Sequence, residues 1–317
     1  MHRANGGAAR WIDLGLLALC VAALAAALAP LGWPFELFAH FRWQVAVASA
    51  VFVVAACAAR GARRSTGIVV LALLLLQAAP LLWSRTSPPA LGRDCGGPGL
   101  SVATVNLWYR SRDGTPALAW LEAHPADIVM LQEVTAEWAQ LLSVTGDLYP
   151  HRAMHARQDP YGIGVLSRWP LLRVDYVDFA QDGLPSLVAT LDVEGRRVQV
   201  IGLHTAWPVL AGLQRARDRT LAGAAALARQ ATLPTVIAGD FNLTPYAPAF
   251  RRLEHDAQMR DAFANRLWRP TWQAGFWPLA LPIDHVLAPK GACVESAAIG
   301  DDVGSDHRPV LVSVRWP

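Results

Sequence analysis

The sequence predicts an α/β or α+β sandwich in one domain of about 220 residues, preceded by an apolar N-terminal third. Three observations lead there. Hydrophobic residues make up 53% of the 317 positions, and every long uncharged stretch lies before residue 85. From residue 100 onward, short β-type runs alternate with helical ones and are punctuated by Gly and Pro. Several of those β-runs terminate in Asn, Glu, His or Asp.

The uncharged stretches run over 14–35, 43–59 and 65–84. Runs of this length suit helices that cross a hydrocarbon core, because backbone polar groups in lipid must satisfy one another internally. The expectation is therefore a membrane anchor of three transmembrane helices over residues 1–84, with the bilayer as a partner. A signal peptide is the competing reading of the first stretch, since Arg3 and Arg10 precede an Ala/Leu-rich core. The two stretches that follow weigh against it.

Arg3 and Arg10 precede the first stretch, and Arg60, Arg63 and Arg64 crowd the gap between the second and third. The positive-inside rule then places these on the cytoplasmic side and everything after Ser84 on the other. On this reading the protein is a multi-pass cell-membrane protein with an extracytoplasmic globular domain. Trp11, Trp33, Trp43 and Trp83 fall at the ends of the stretches, where an indole prefers the headgroup level.

Charge separates the two parts. Residues 1–93 hold 8 arginines against 2 acidic residues, and the remainder holds 20 basic against 23 acidic. The basicity thus belongs to the N-terminal third. A duplex-binding domain advertises a basic face, whereas no Lys/Arg run follows residue 95 and Lys290 is the only lysine. Cys20 and Cys57 lie in the apolar stretches. Cys95 and Cys293 are either a disulfide stapling the domain entrance to a late segment or two unpaired buried thiols. No CxxC or CxxH spacing suggests zinc.

Residues 85–98, rich in Pro and Gly, read as a linker, and the domain occupies 99–317. Candidate strands are 100–107, 127–131, 162–166, 187–191, 198–203, 235–238, 283–287 and 309–314. Val193-Glu194-Gly195-Arg196 reads as a hairpin turn between Val/Leu/Ile-rich arms. The best helix covers 210–229, with leucines and alanines at helical spacing and arginines between them. Asn106, Glu133, His204, Asp240 and Asn242 sit at or just past strand ends, and Ser305-Asp306-His307 precedes the final strand. Strands that repeatedly end in such residues bring them to one rim of a sheet.

Taken together and in order, VNLW at 105–108, LQEV at 131–134, YGIGVLSR at 161–168, LHTAWP at 203–208, GDFN at 239–242, IDHV at 283–286 and SDHRPV at 305–310 resemble the endonuclease/exonuclease/phosphatase superfamily. That group includes DNase I-like nucleases, abasic-site endonucleases, inositol polyphosphate 5-phosphatases and sphingomyelinases. The resemblance spans about 99–317 and implies a four-layer α/β/β/α sandwich with its site at the rim of two packed sheets. It implies a divalent-metal-dependent phosphoesterase. Glu133, Asn106 and Asp306 would offer hard oxygens to Mg²⁺ or Mn²⁺. His307 would take a proton from water, with Asp284 fixing its tautomer. Asn242 and His204 would contact non-bridging phosphate oxygens as charge develops, and Asp240 would orient the nucleophile or protonate the leaving oxygen.

Departures narrow the group. Abasic-site endonucleases carry an Asp two residues after the first Asn, where this chain has Trp108, and they lack the histidine that His204 provides. Tyr161 is offset by one position from theirs. Thr271 and Trp272, just before the IDHV motif, are candidates to line the substrate cleft, and Trp272 has a packing alternative. The expected substrate is a phosphate ester, for instance a lipid headgroup. An extracytoplasmic nuclease acting on DNA or RNA is one alternative, a non-catalytic membrane binding module another. No protein partner is expected.

Overall fold

The computed structural model describes residues 5–58, 72, 95–97, 99–264, 268–273, 275–276 and 278–316. It divides into two units, one comprising Met1–Thr86 with Tyr246–Pro248, the other Ser87–Pro245 with Ala249–Pro317.

In the first unit, helix α1 (Asn5–Ala27) is followed by a 3-10 turn (Ala29–Leu31), a cis Trp33–Pro34 bond, α2 (Phe35–His40) and α3 (Arg42–Ala58). Among the described residues no helix is long and apolar enough to cross a membrane. The expectation of three transmembrane helices is thereby corrected, and with it the multi-pass membrane localisation and the extracytoplasmic orientation that rested on those spans. The stretch 14–35 is uncharged but not one helix, because Pro30, Gly32 and Pro34 interrupt it. Its uncharged helical part is the end of α1 after Arg10 and Asp13, residues 14–27, about 21 Å of helix against a core of about 30 Å. The second stretch forms α3, 17 residues long. That helix opens with Arg42, whose guanidinium donates to the carbonyl of Ala26. The third stretch, 65–84, lies outside the described residues except for Ala72, as does most of the expected linker.

The second unit contains two six-stranded sheets. The first has the order β11-β12-β1-β2-β4-β3, formed by β1 (Gly99–Asn106), β2 (Ile128–Gln132), β3 (His151–His155), β4 (Ile163–Ser167), β11 (Cys293–Ile299) and β12 (Val310–Arg315). The second has the order β5-β6-β7-β8-β10-β9, formed by β5 (Leu171–Val177), β6 (Ser186–Val193), β7 (Arg196–His204), β8 (Thr235–Asp240), β9 (Met259–Asp261) and β10 (Asp284–Pro289). Two pairs are parallel, β1 with β2 and β7 with β8. Each is joined by a crossover containing a helix, α4 (Thr115–Ala123) for the first and α6 (Ala211–Gln230) for the second.

Strand side chains alternate between faces, and the packing follows that period. Leu100, Val102, Ile128 and Met130 of the first sheet meet Leu187, Ala189, Val200, Val236 and Val286 of the second in the central core. Their neighbours Ala103, Val105, Val129 and Leu131 point outward onto Trp120 and Leu121 of α4 and Trp138 of α5 (Ala136–Leu141). On the far side, α6 buries Ala216, Leu221, Ala224, Ala225 and Ala228 and packs on β8. The layers are therefore helix, sheet, sheet, helix, as the family resemblance implied for this domain. Helix α7 (Pro248–Ala257) precedes β9.

The hairpin expected at 193–196 joins β6 to β7, with Val193 opposite Arg196 and positive φ at Glu194 and Gly195. Two positive-φ central residues give the turn whose twist matches the strands. All eight expected strands form, with ends shifted by a few residues. Four others, β3, β5, β9 and β11, are additional, and each is the outermost strand of its sheet. Cys95 and Cys293 form a disulfide, with Cα atoms 6.1 Å apart across 198 residues. The pairing left open by the sequence is thus present, tying the lead-in of β1 to the start of β11.

Two outcomes follow for stability. Cys293→Ser should lower the unfolding free energy by about 2–5 kcal/mol, since the bond closes a long loop, and chemical denaturation with and without reductant measures it. Gly239→Ala should cost more than about 2 kcal/mol in the same assay. Gly239 has φ 145°, and a Cβ there would run into the carbonyl oxygen of Leu203 on β7.

Candidate active site

The first sheet supplies Asn106, the last residue of β1, and Glu133, one residue beyond β2. Glu133 has φ 60°, a left-handed backbone that costs an ordinary residue about 1–3 kcal/mol. The conformation is held by the side chain itself: Oε2 accepts the Tyr109 amide at 2.8 Å and Oε1 accepts Nδ2 of Asn106 at 3.1 Å. Thr135 caps α5 by accepting the Trp138 amide at 3.2 Å. The cap is thus supplied by Thr135, and the Glu133 carboxylate is left to Tyr109 and Asn106.

The second sheet supplies His204, Asp240 and Asp284, and its register lines them up. Asp240 at the end of β8 lies opposite His204 on the parallel strand β7 and opposite Asp284 on the antiparallel strand β10. Asp240 Oδ1 accepts the Asn242 amide at 2.8 Å, and its Oδ2 faces Nε2 of His204 at 3.6 Å. Asn242, at φ 46°, donates Nδ2 to the Thr205 carbonyl at 2.9 Å, which pins the turn after β8 to the loop after β7.

His307, just before β12, closes the arrangement across both sheets. Its Nδ1 lies 2.8 Å from Asp284 Oδ2, and its Nε2 lies 3.4 Å from Asn106 Nδ2 and 3.7 Å from Asp240 Oδ2. Asn106 Nδ2 also donates to Asp240 Oδ2 at 3.3 Å. Asp306 accepts the Trp272 indole N–H at 3.0 Å on Oδ2, and its buried Oδ1 has no hydrogen-bond partner among the described residues. The structure thus brings Asn106, Glu133, His204, Asp240, Asp284 and His307 into one chain of contacts, with Asn242 attached through Asp240. Thr271 stands apart from a cleft-lining position: it is fully buried, and its hydroxyl accepts the amides of Ile283 at 3.2 Å and Asp284 at 3.1 Å.

Four further groups support the site. The Tyr109 amide and the Trp272 indole hold carboxylates, and the Tyr161 ring lies 5.2 Å from that of His204. Behind Asp284, His285 joins Asp261 and Arg269 in a buried network. The one sequence signal for the network and the indole contact is the Arg269-Pro-Thr-Trp272 run before the IDHV motif.

Electrostatics explains the protonation states. Burial pushes the Glu133 carboxyl up; the hydrogen bonds from Tyr109 and Asn106 pull it back and Asp306 adds to the rise. Burial, then the neighbouring Asp284, raise Asp240 well above the ordinary carboxylate range. Burial, then the charge on His307, lower His204 to about 4, so its imidazole is neutral. Burial works against the charge on His307 too, yet Asp284, Asp240 and Asp306 outweigh it and hold the imidazole well above its usual value.

These groups fit a divalent cation. Four carboxyl groups, those of Glu133, Asp240, Asp284 and Asp306, cluster around the imidazole of His307. All are oxygen donors of the kind a hard cation takes, and Oδ1 of Asp306 is an acceptor without a donor among the described residues. Asp240, Asp284 and His307 also offer ligand atoms within 4.8 Å of one another. In that trio, however, the hydrogen bond between His307 and Asp284 already engages Nδ1 and Oδ2.

Comparison with known proteins agrees with this fold. The profile of the Endonuclease/Exonuclease/phosphatase family matches residues 103–307. A search of curated protein sequences returns no significant match. Similar solved structures include TDP2 of D. rerio complexed with a single-strand DNA product, 17% identical, covering 68% of this chain and 99% of that one with a TM-score of 0.58. The endonuclease/exonuclease/phosphatase of Beutenbergia cavernae is 23% identical over 69% of this chain and 72% of its own, TM-score 0.54. Sphingomyelinase C of Streptomyces griseocarneus is 20% identical over 68% and 99%, TM-score 0.51. At these identities the structural likeness speaks for the fold, while the matched span and the converging side chains speak for more: the chain belongs to the endonuclease/exonuclease/phosphatase family and is a metal-dependent hydrolase of phosphate esters.

Proposed function

We propose that this protein hydrolyses a phosphodiester by direct attack of water, with His307 as general base and Asp284 as its orienting partner. The observation that carries the reading is the 2.8 Å contact between His307 Nδ1 and Asp284 Oδ2. It turns Nε2 toward Asn106 and Asp240, where a nucleophile would be deprotonated. The carboxylates around His307 favour its protonated ring; the charge of a bound cation would oppose this and leave Nε2 able to take the proton, while Asp284 fixes the tautomer and stabilises the imidazolium once the proton has moved. Neutral His204 is suited to donate a hydrogen bond to a non-bridging oxygen, and Asn242 borders the same space. Asp240, its proton affinity raised by burial, is suited to hand a proton to the leaving oxygen. Glu133 and Asp306, with Asn106 beside them, would hold Mg²⁺ or Mn²⁺. Such a cation supplies positive charge against the developing phosphorane-like charge.

For substrate, the reading extends to a phosphodiester bearing an apolar portion, such as a lipid headgroup ester. What supports it is the surface of the loops beside the site. Trp207, Val209 and Leu210 follow β7, Phe276 and Leu279 follow the Trp272 segment, and all five are exposed, Trp207 at 55% and Phe276 at 55%. Acidic residues outnumber basic ones after residue 93, which disfavours a polyanion held by charge alone.

His307→Ala should lower kcat on bis(p-nitrophenyl) phosphate by a factor of about 10²–10⁴ while circular dichroism and the thermal midpoint stay close to the parent. Full activity in that variant refutes the assignment of the base. EDTA should abolish turnover, and Mg²⁺ or Mn²⁺ should restore it. Assaying the full chain on mixed phospholipid vesicles and on plasmid DNA decides the substrate. Headgroup release is the expected result; nicked plasmid with intact lipid sinks the lipid reading in favour of a nuclease.

A further inference from the structure

Residues 269–273 run as a short strap between two parts of the site. On one side the amides of Thr271 and Trp272 donate to the Leu281 carbonyl at 3.0 and 2.9 Å, and Leu281 returns a bond to Trp272 at 3.0 Å. On the other side the Arg308 amide donates to the Thr271 carbonyl at 2.7 Å and the Gln273 amide donates to the Asp306 carbonyl at 2.9 Å. The strap therefore lies between the approach to Asp284 and the loop that carries Asp306 and His307, bonded to both.

Its side chains act in sequence. Arg269 is 3% exposed and reaches Asp261 of β9 and His285 of β10, themselves 2% and 0% exposed. Burial pushes the His285 imidazole well below its usual value, so it is neutral. Its Nε2–H then donates to the Leu243 carbonyl at 2.8 Å, and its Nδ1 accepts from Arg269 at 3.0 Å. Breaking a charged pair this deep is strongly destabilising, which holds the strap's first residue against β9 and β10. Two residues on, Thr271 occupies the amides of Ile283 and Asp284, setting the backbone from which the Asp284 carboxylate projects. Trp272 then donates its indole N–H to one oxygen of Asp306. That leaves the other oxygen without a hydrogen-bond donor among the described residues.

We infer that residues 269–273 are a positioning strap in which Trp272 aims the free oxygen of Asp306 at the cation and Thr271 aims Asp284 at His307. The inference rests on the proposed place of Asp306 beside the cation. A partner that orients a ligating carboxylate is worth about 10–100-fold in metal affinity, although it touches neither metal nor substrate.

The test uses the full-length protein, with Mg²⁺ and Mn²⁺ binding read by calorimetry in the absence of substrate. Trp272→Phe keeps the ring and removes the N–H; it should weaken cation binding about tenfold or more while the metal-free thermal midpoint hardly moves. Asp306→Ala should weaken binding at least as much. Unchanged affinity in Trp272→Phe alongside weakened affinity in Asp306→Ala overturns the strap. Unchanged affinity in Asp306→Ala overturns instead the cation assignment on which it rests. Thr271→Val, nearly isosteric, should leave cation affinity intact and lower kcat about tenfold without a matching change in KM; an unchanged kcat removes Thr271 from the device.

Discussion

The site depends on the register of β8. Because this strand has a parallel neighbour on one side and an antiparallel one on the other, its last residue, Asp240, faces His204 and Asp284 at once. A slip of one residue on either side would turn a whole set of side chains to the opposite face, dispersing the row. Val236 and Ala238 in the central core oppose such a slip. The burial that holds the sandwich together thereby also holds the chemistry in line.

The same burial creates the electrostatic situation the site exploits. Removing carboxylates from water is costly unless they gain partners, and Asp240, Glu133 and Asp284 gain them from Asn242, Tyr109, Asn106 and His307. Among the described residues, one acceptor on Asp306 is left over. The first sheet brings Asn106 and Glu133, the second brings the row, and His307 contacts side chains from both. Neither sheet alone assembles the site.

Much of this was legible in the sequence, for physical reasons. Strands inside a sheet are covered by neighbours, so β1, β2, β4, β8 and β10 read as nearly continuous apolar runs. The outermost strands were not legible. β3 and β5 carry Arg152, Arg173 and Asp175 on partly exposed backbone, and β9 is only 3 residues long. Site residues at strand ends announced themselves by motif. The Trp272–Asp306 contact and the Arg269 network did not, because they join positions 34 and 16 residues apart through a segment without period. The N-terminal third was read from its lack of charge, and lack of charge is not continuity of helix: Pro30 and Pro34 divide what composition alone unites.

The Cys95–Cys293 bond gives the second unit a property that no noncovalent contact supplies. It joins two points 198 residues apart, so β1 through β10 and every loop bearing a site residue except the one before β12 lie inside a covalent ring. Cutting any one peptide bond in that ring leaves a single molecule, its two pieces linked through sulfur. Exposed loops near the site, such as that carrying Trp207, can thus suffer a nick without shedding either sheet.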